Sequence, residues 1–295
     1  MSLQPNLLPF TEDCFCVHGV PFRLKTNVPD ARSCFGRLYG HFYKSGLTEC
    51  EFQAELALSA SGTFHWTLAD RTGEASTLNA TLWNLESILC ETIIRSQRRN
   101  IAIHAGALAF GGSAALIAGR SGAGKSTLSV AMVRRGFTVG SDDVTLADPD
   151  SLHVFPVPRC FHLDDQSLAL LRTDGLEIPL APPRPPFIVP GDFMPGPIPA
   201  CRARILILIS GQRVTQPLLT PMPQAEMAAR LLQETGLGPL SHGETMGVLS
   251  RLAAGARCYG LTLGPLGRTA DAVAELIRES AGTAAEPQAA ATNSR

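Results

Sequence analysis

The chain has 295 residues, enough for one large or two ordinary domains. Hydrophobic residues at 45% and charged residues at 17% are globular proportions and exclude a wholly disordered chain. A net charge of −1, with an isoelectric point near 6.7, implies no general affinity for nucleic acid. The start of the chain lacks a basic region followed by an apolar core, so no signal peptide is expected. No apolar run nears the roughly 18 residues a membrane span needs, so no membrane partner is expected and a soluble, cytoplasmic protein is.

In chain order, residues 1–98 form a strand-rich region ending in a helix. Cys14 to Val20, Leu38 to Tyr43, Cys50 to Ser59 and Thr63 to Ala69 read as strands, with a hairpin turn at Ser61-Gly62. Thr77 to Arg98 reads as one helix, with Leu82, Leu85, Ile88, Leu89 and Ile93 at helical spacing. A second region, residues 99–280, opens on the apolar strand Ile101 to Phe110. Gly111-Gly112 marks a two-residue hairpin turn into a second strand, Ser113 to Ala118. In that register Phe110 faces Ser113 and, counting back, His104 faces Gly119.

Gly119-Arg120-Ser121-Gly122-Ala123-Gly124-Lys125-Ser126 follows and fits G-x-x-x-x-G-K-[ST], the phosphate-binding P-loop pattern. A polyphosphate has to be wrapped by backbone N–H groups, and glycines leave it room to approach. The helix predicted from Thr127 to Arg135 would aim its own N–H groups and dipole at the phosphates. Lys125 can reach the β- and γ-phosphates, and the Ser126 hydroxyl can ligate Mg²⁺. The candidate nucleotide-binding set is therefore Gly119 to Ser126, with Thr127. Phe137 to Val139 reads as a strand returning beside the glycine-loop strand, with Ser141, Asp142 and Asp143 at its carboxyl end. Two adjacent carboxylates there suit a division of labour between holding a metal and accepting a proton.

Further along, residues 178–199 carry nine prolines, a density no helix or central strand survives. Ala203 to Ser210 and Arg257 to Leu263 read as strands, and Ala225 to Glu234, Thr245 to Ala254 and Ala270 to Ser280 as helices. Residues 281–295 are Ala-, Thr- and Pro-rich and expected to be disordered. Cys14-Phe-Cys16 has no downstream partner to complete a zinc set, and the eight scattered cysteines read as thiols in a reducing compartment. Arg159, Arg202 and Arg204 are weaker candidates for phosphate contact. His153, His162 and His242 have no partner pattern, and Trp66 and Trp83 read as core. Absence of N-K-x-D and of Leu-Ser-Gly-Gly-Gln counts against a GTPase and a transporter ATPase.

Taken together, His104, the Gly111-Gly112 hairpin, the loop from Gly119 to Ser126, Arg135-Gly136 and Asp142-Asp143 resemble the HPr kinase/phosphorylase family. The likeness is nearer to its HPr-kinase-related branch of small bacterial kinases, and covers about residues 101–146. The resemblance implies an α/β fold of the P-loop type shared with phosphoenolpyruvate carboxykinases, and an ATP- and Mg²⁺-dependent kinase. Its acceptor would be a Ser or Thr hydroxyl on a small protein or peptide, and it leaves a homo-oligomer open. It also implies roles: Asp142 as general base, Asp143 with Ser126 as Mg²⁺ ligands, His104 near the transferred phosphoryl, and Lys125 on the phosphates. The bifunctional members' Glu-x-Arg-Gly signature is missing; Leu176-Glu177-Ile178 runs into Pro179 and matches only a fragment of it, with Glu177 and Arg184 as weaker candidates for its roles. An ATPase or nucleotide switch without an acceptor, a degenerate interaction module, and a kinase of free serine are the alternatives.

Overall fold

The computed structural model describes residues 7–177, 188–193, 198–235 and 239–282. The chain forms two mixed α/β units. One comprises Met1–Arg98, Val157–His162 and Ile178–Pro197; the other Arg99–Pro156, Leu163–Glu177 and Ile198–Arg295. The 98/99 boundary coincides with the one read from sequence, but Val157–His162 and residues 188–193 of the proline-rich stretch return to the first unit, while Ile198 and Pro199 belong to the second. Most of that stretch, and residues 283–295 of the expected disordered tail, lie outside the described residues.

The first unit holds β1 (Thr11–Val17), β2 (Val20–Thr26), α1 (Pro29–Tyr39), β3 (Phe52–Leu58), β4 (Phe64–Leu68), β5 (Arg71–Ala75) and α2 (Leu78–Arg95). Its sheet runs β1-β2-β3-β4-β5, antiparallel except for the parallel β2–β3 pair. A parallel pair needs a crossover, and α1 supplies it. Two expectations are corrected here. Cys14 to Val20 is not one strand, because the chain reverses at His18-Gly19, both at positive φ. Leu38 to Tyr43 is not a strand: Leu38 and Tyr39 close α1, and Gly40–Phe42 forms a 3-10 turn. Pro29 in the first turn and buried Ala31, Cys34, Phe35 and Leu38 carry a helical period, which outweighs the aromatic strand propensity downstream. The hairpin at Ser61-Gly62 and the helix from Thr77 are as read; the Thr77 hydroxyl caps α2 by accepting from Ala80 N at 3.3 Å. Trp66 is core, and Gly73 opposite it leaves room for the indole, since a Cβ there would lie 2.4 Å from the ring.

The second unit contains β6 (Ile101–Ile103), β7 (Ala105–Phe110), β8 (Ser113–Ala118), α3 (Lys125–Val133), β9 (Thr138–Ser141), β10 (Thr145–Ala147), β11 (His153–Pro156) and α4 (Asp165–Thr173). It continues with β12 (Cys201–Arg213), β13 (Leu218–Pro221), α5 (Gln224–Gln233), α6 (His242–Ala254), β14 (Arg257–Leu263) and α7 (Leu266–Gly282). The parallel strands β8, β12 and β14 form the centre, and their buried apolar runs are those of strands covered on both faces. On one side of the centre lie β7 and then β9, on the other β13; the first residues of β12 carry β11, β10 and β6. Alternate residues point to opposite faces. Ala105, Ala107, Ala114 and Leu116 share a core with Met227 and Leu231 of α5 and Leu249 and Leu252 of α6. The intervening Gly106 faces α3. None of the described helices is long and apolar enough to cross a membrane.

Cys258, on β14, shows how this core acts on a thiol. It is 6% exposed, and burial pushes its pKa up to about 11. The folded protein therefore keeps a proton that an unfolded chain gives up near 9.0, so this group's contribution to stability falls as pH rises from there to about 11. Iodoacetamide at pH 9 is expected to spare Cys258 in the native protein and modify it in denaturant; equal labelling by peptide mass mapping would refute the shielding.

Candidate active site

The glycine loop joins β8 to α3 at the carboxyl end of the central parallel strands. Gly119, Gly122 and Gly124 have φ of 151°, 76° and 102°, values that L side chains rarely adopt. Space also selects glycine at two of them. A Cβ on Gly119 would lie 3.2 Å from Ile209 Cβ of β12, and one on Gly124 would lie 3.1 Å from Leu263 Cδ1 of β14. Gly124 caps α3 without a side-chain hydrogen bond, so the first turn presents backbone N–H groups, the arrangement that receives anions.

Lys125, the first residue of α3, is 6% exposed and curls back over the loop. Its ammonium donates to Gly119 O at 2.6 Å and Arg120 O at 3.3 Å. Burial pulls its pKa below the ordinary lysine value, and the carboxylates Asp143, Glu234 and Asp142 oppose that shift. An added anion at the loop would strengthen the charged form further.

The hairpin has the register read from sequence, from Phe110↔Ser113 to Ala105↔Ala118, with Gly111 and Gly112 both at positive φ in the turn. The strand does not run on to His104, however. The chain bends there, and Ile101–Ile103 leaves to pair with β10 as β6. His104 lies one residue beyond the last hairpin pair, with its N–H donating to Glu234 O at 2.8 Å. Its Nε2 is 2.7 Å from Asp143 Oδ1 and its Nδ1 is 3.4 Å from Glu234 Oε2.

β9 pairs with β7, so β7 stands between it and β8, where direct adjacency was expected. Because both of those contacts are antiparallel, β9 still runs parallel to β8, and Asp142 and Asp143 emerge at the end of the sheet that carries the glycine loop. The Ser141 hydroxyl accepts from the N–H groups of Asp143 and Val144 at 3.2 and 3.1 Å, which holds the turn. Asp142 is 2% exposed, while Asp143 is half-buried. A Cβ on Gly106 would come within 3.1 Å of Asp142 Cα and 3.0 Å of Ser129 Oγ, so glycine there lets β7, β9 and α3 close up. Gly106→Val is expected to cost the second unit about 1–3 kcal/mol by overpacking, measured as a lowered midpoint in urea; an unchanged midpoint would mean the three elements yield freely.

Of the sequence candidates, His104, Lys125, Asp142 and Asp143 thus converge at one end of the sheet. Arg120 and Ser121 lie exposed on the loop, while Ala123 is buried. Ser126 is half-buried in the first turn of α3, and the Thr127 hydroxyl is engaged with Ser167 Oγ of α4 at 2.8 Å. Arg159 belongs to the first unit and pairs with Glu86 at 3.3 Å. Arg202 and Arg204 lie at the start of β12, the opposite end of the strand from Ile209 and the glycine loop. Glu177 is exposed, and Arg184 lies outside the described residues. His153 faces Arg202, His242 opens α6, and His162 packs edge-on against Trp83. Glu234 is the residue that reading the sequence missed. It follows α5, far along the chain, and no local pattern marks it.

No protein-family model matches the chain, and no curated protein matches it.

Proposed function

We propose that the chain is an ATP-dependent, Mg²⁺-requiring kinase of the HPr-kinase-like type, with the P-loop fold of that family. It would pass the γ-phosphoryl group to a Ser or Thr hydroxyl of a small protein or peptide in the cytoplasm. The observation that carries this reading is the convergence of the glycine loop and Lys125 with buried Asp142 and the His104–Asp143 pair at one end of the sheet. Positioning and electrostatics are most of what phosphoryl transfer asks of a protein.

In this reading the N–H groups of the loop and of the first turn of α3 bind the phosphates. Lys125 exchanges the carbonyls of Gly119 and Arg120 for phosphate oxygens. Asp142 accepts the proton of the acceptor hydroxyl as its oxygen bonds to the γ-phosphorus, and the bond from that phosphorus to the bridging oxygen breaks to leave ADP. The half-buried Ser126 hydroxyl and Asp143 carboxylate are hard oxygen donors, which fit Mg²⁺. An ion held by these two residues would offset the negative charge on the phosphoryl oxygens. His104, braced by Glu234 and Asp143, keeps a ring nitrogen beside the same carboxylate.

Incubation with γ-labelled ATP and Mg²⁺, with and without lysate of the source cells, tests the reading. A labelled small protein or peptide that appears only with the wild-type chain, and not with Asp142→Asn, supports it. Label released only as inorganic phosphate, at one rate with or without lysate, points to an ATPase or switch instead. Labelled free serine would make it a small-molecule kinase.

A further inference from the structure

We propose that Glu86, Cys160 and His162 form a zinc-binding site in the first unit, separate from the chemistry proposed for the second. Glu86 lies on α2 among Leu82, Leu85 and Leu89 and is 0% exposed. A carboxylate so placed needs strong partners. Those it has are distant: Arg159 Nε at 3.3 Å, Arg159 Nη2 at 3.5 Å and the Cys160 N–H at 3.4 Å. Exposed ion pairs elsewhere in this unit close to 2.7 Å, as in Arg32–Asp13 and Arg71–Glu91. The buried carboxylate is thus the loosely held one, although it has more to lose.

Beside it stand the Cys160 sulfur, in a residue 1% exposed, and the imidazole of exposed His162. One donor atom from each of the three residues lies within 4.8 Å of the others. A sulfur, a nitrogen and an oxygen suit zinc, whereas Mg²⁺ and Ca²⁺ prefer oxygen throughout. Tetrahedral zinc holds such atoms about 3.3–3.8 Å apart, so a cluster within 4.8 Å has to contract by no more than about 1–1.5 Å. The His162 ring is exposed and rests edge-on against Trp83, with centroids 4.2 Å apart. Arg159 would stay on the carboxylate as the outer partner that orients it. Three protein ligands leave a fourth position for water or another small ligand. The site would staple Val157–His162 to α2.

The 295-residue chain, stripped with chelator, is titrated with Co²⁺ and then Zn²⁺. One equivalent of Co²⁺ is expected to give a thiolate charge-transfer band that Zn²⁺ displaces, and Zn²⁺ is expected to raise the unfolding temperature. Cys160→Ser should abolish the band. His162→Ala, at an exposed position, should weaken zinc binding by more than the roughly 10–100-fold that loss of an outer partner costs, with the far-UV circular dichroism of the variant unchanged. Cys14→Ser with Cys16→Ser should leave both signals intact. Absence of a band at one equivalent, its loss in the Cys14/Cys16 variant, or zinc affinity unchanged in His162→Ala would overturn the proposal.

Discussion

Asp142→Asn is expected to reduce phosphoryl transfer by about 10²–10⁴-fold while leaving ATP binding nearly unchanged. The substitution is close to isosteric, so the turn held by the Ser141 hydroxyl stays in place. What disappears is the ability to take a proton from the acceptor hydroxyl. Asp142 suits that role because it is 2% exposed at the end of β9, where water competes least. Asp143 is more accessible and already paired with His104, which suits a metal ligand better. Single-turnover transfer and equilibrium nucleotide binding, measured on the same preparation, separate the two roles. Full transfer by Asp142→Asn would remove it as the base. Loss of nucleotide binding would move it to the metal.

Lys125→Ala is expected to weaken ATP binding by roughly 10–100-fold, the equivalent of one charge-assisted hydrogen bond of about 1.5–3 kcal/mol, and to slow transfer as well. The ammonium is buried at a cost, shown by the downward pull on its pKa, and in the structure it spends its hydrogen bonds on Gly119 O and Arg120 O. Those carbonyls are interim partners in the proposed cycle. Stability should change little, because the variant removes a desolvated charge along with its hydrogen bonds. Isothermal titration with ATP and a thermal melt check both halves. An unchanged affinity for ATP would mean the glycine loop is a structural turn, and the kinase reading would lose its main support.

Much of the site is written in one short segment. The Gly-Gly turn sets the register of β7 and β8, the glycine spacing marks the loop, and the Asp-Asp pair follows the next strand. Each is a local pattern, and each lies where that pattern put it. The misreadings have local causes too. Leu38 to Tyr43 carries aromatic residues that suit a strand, but the period of the preceding ten residues closes a helix over Tyr39. Ile101 to Phe110 is uniformly apolar, so nothing in it reveals the bend at His104, where one run divides between two pairings.

Glu234, the link from Thr127 to Ser167, and the return of Val157–His162 to the first unit were beyond any window of the sequence. Their partners lie tens of residues away and leave no period to read. The sequence by itself determined the boundary after residue 98, the hairpin register, the glycine loop and the acidic pair, because turn chemistry and alternation act between neighbours. Tertiary structure alone decided which distant carboxylate braces His104, which strand stands between β8 and β9, and which buried glutamate meets Cys160 and His162. Those depend on packing of surfaces that the chain brings together only once it has folded.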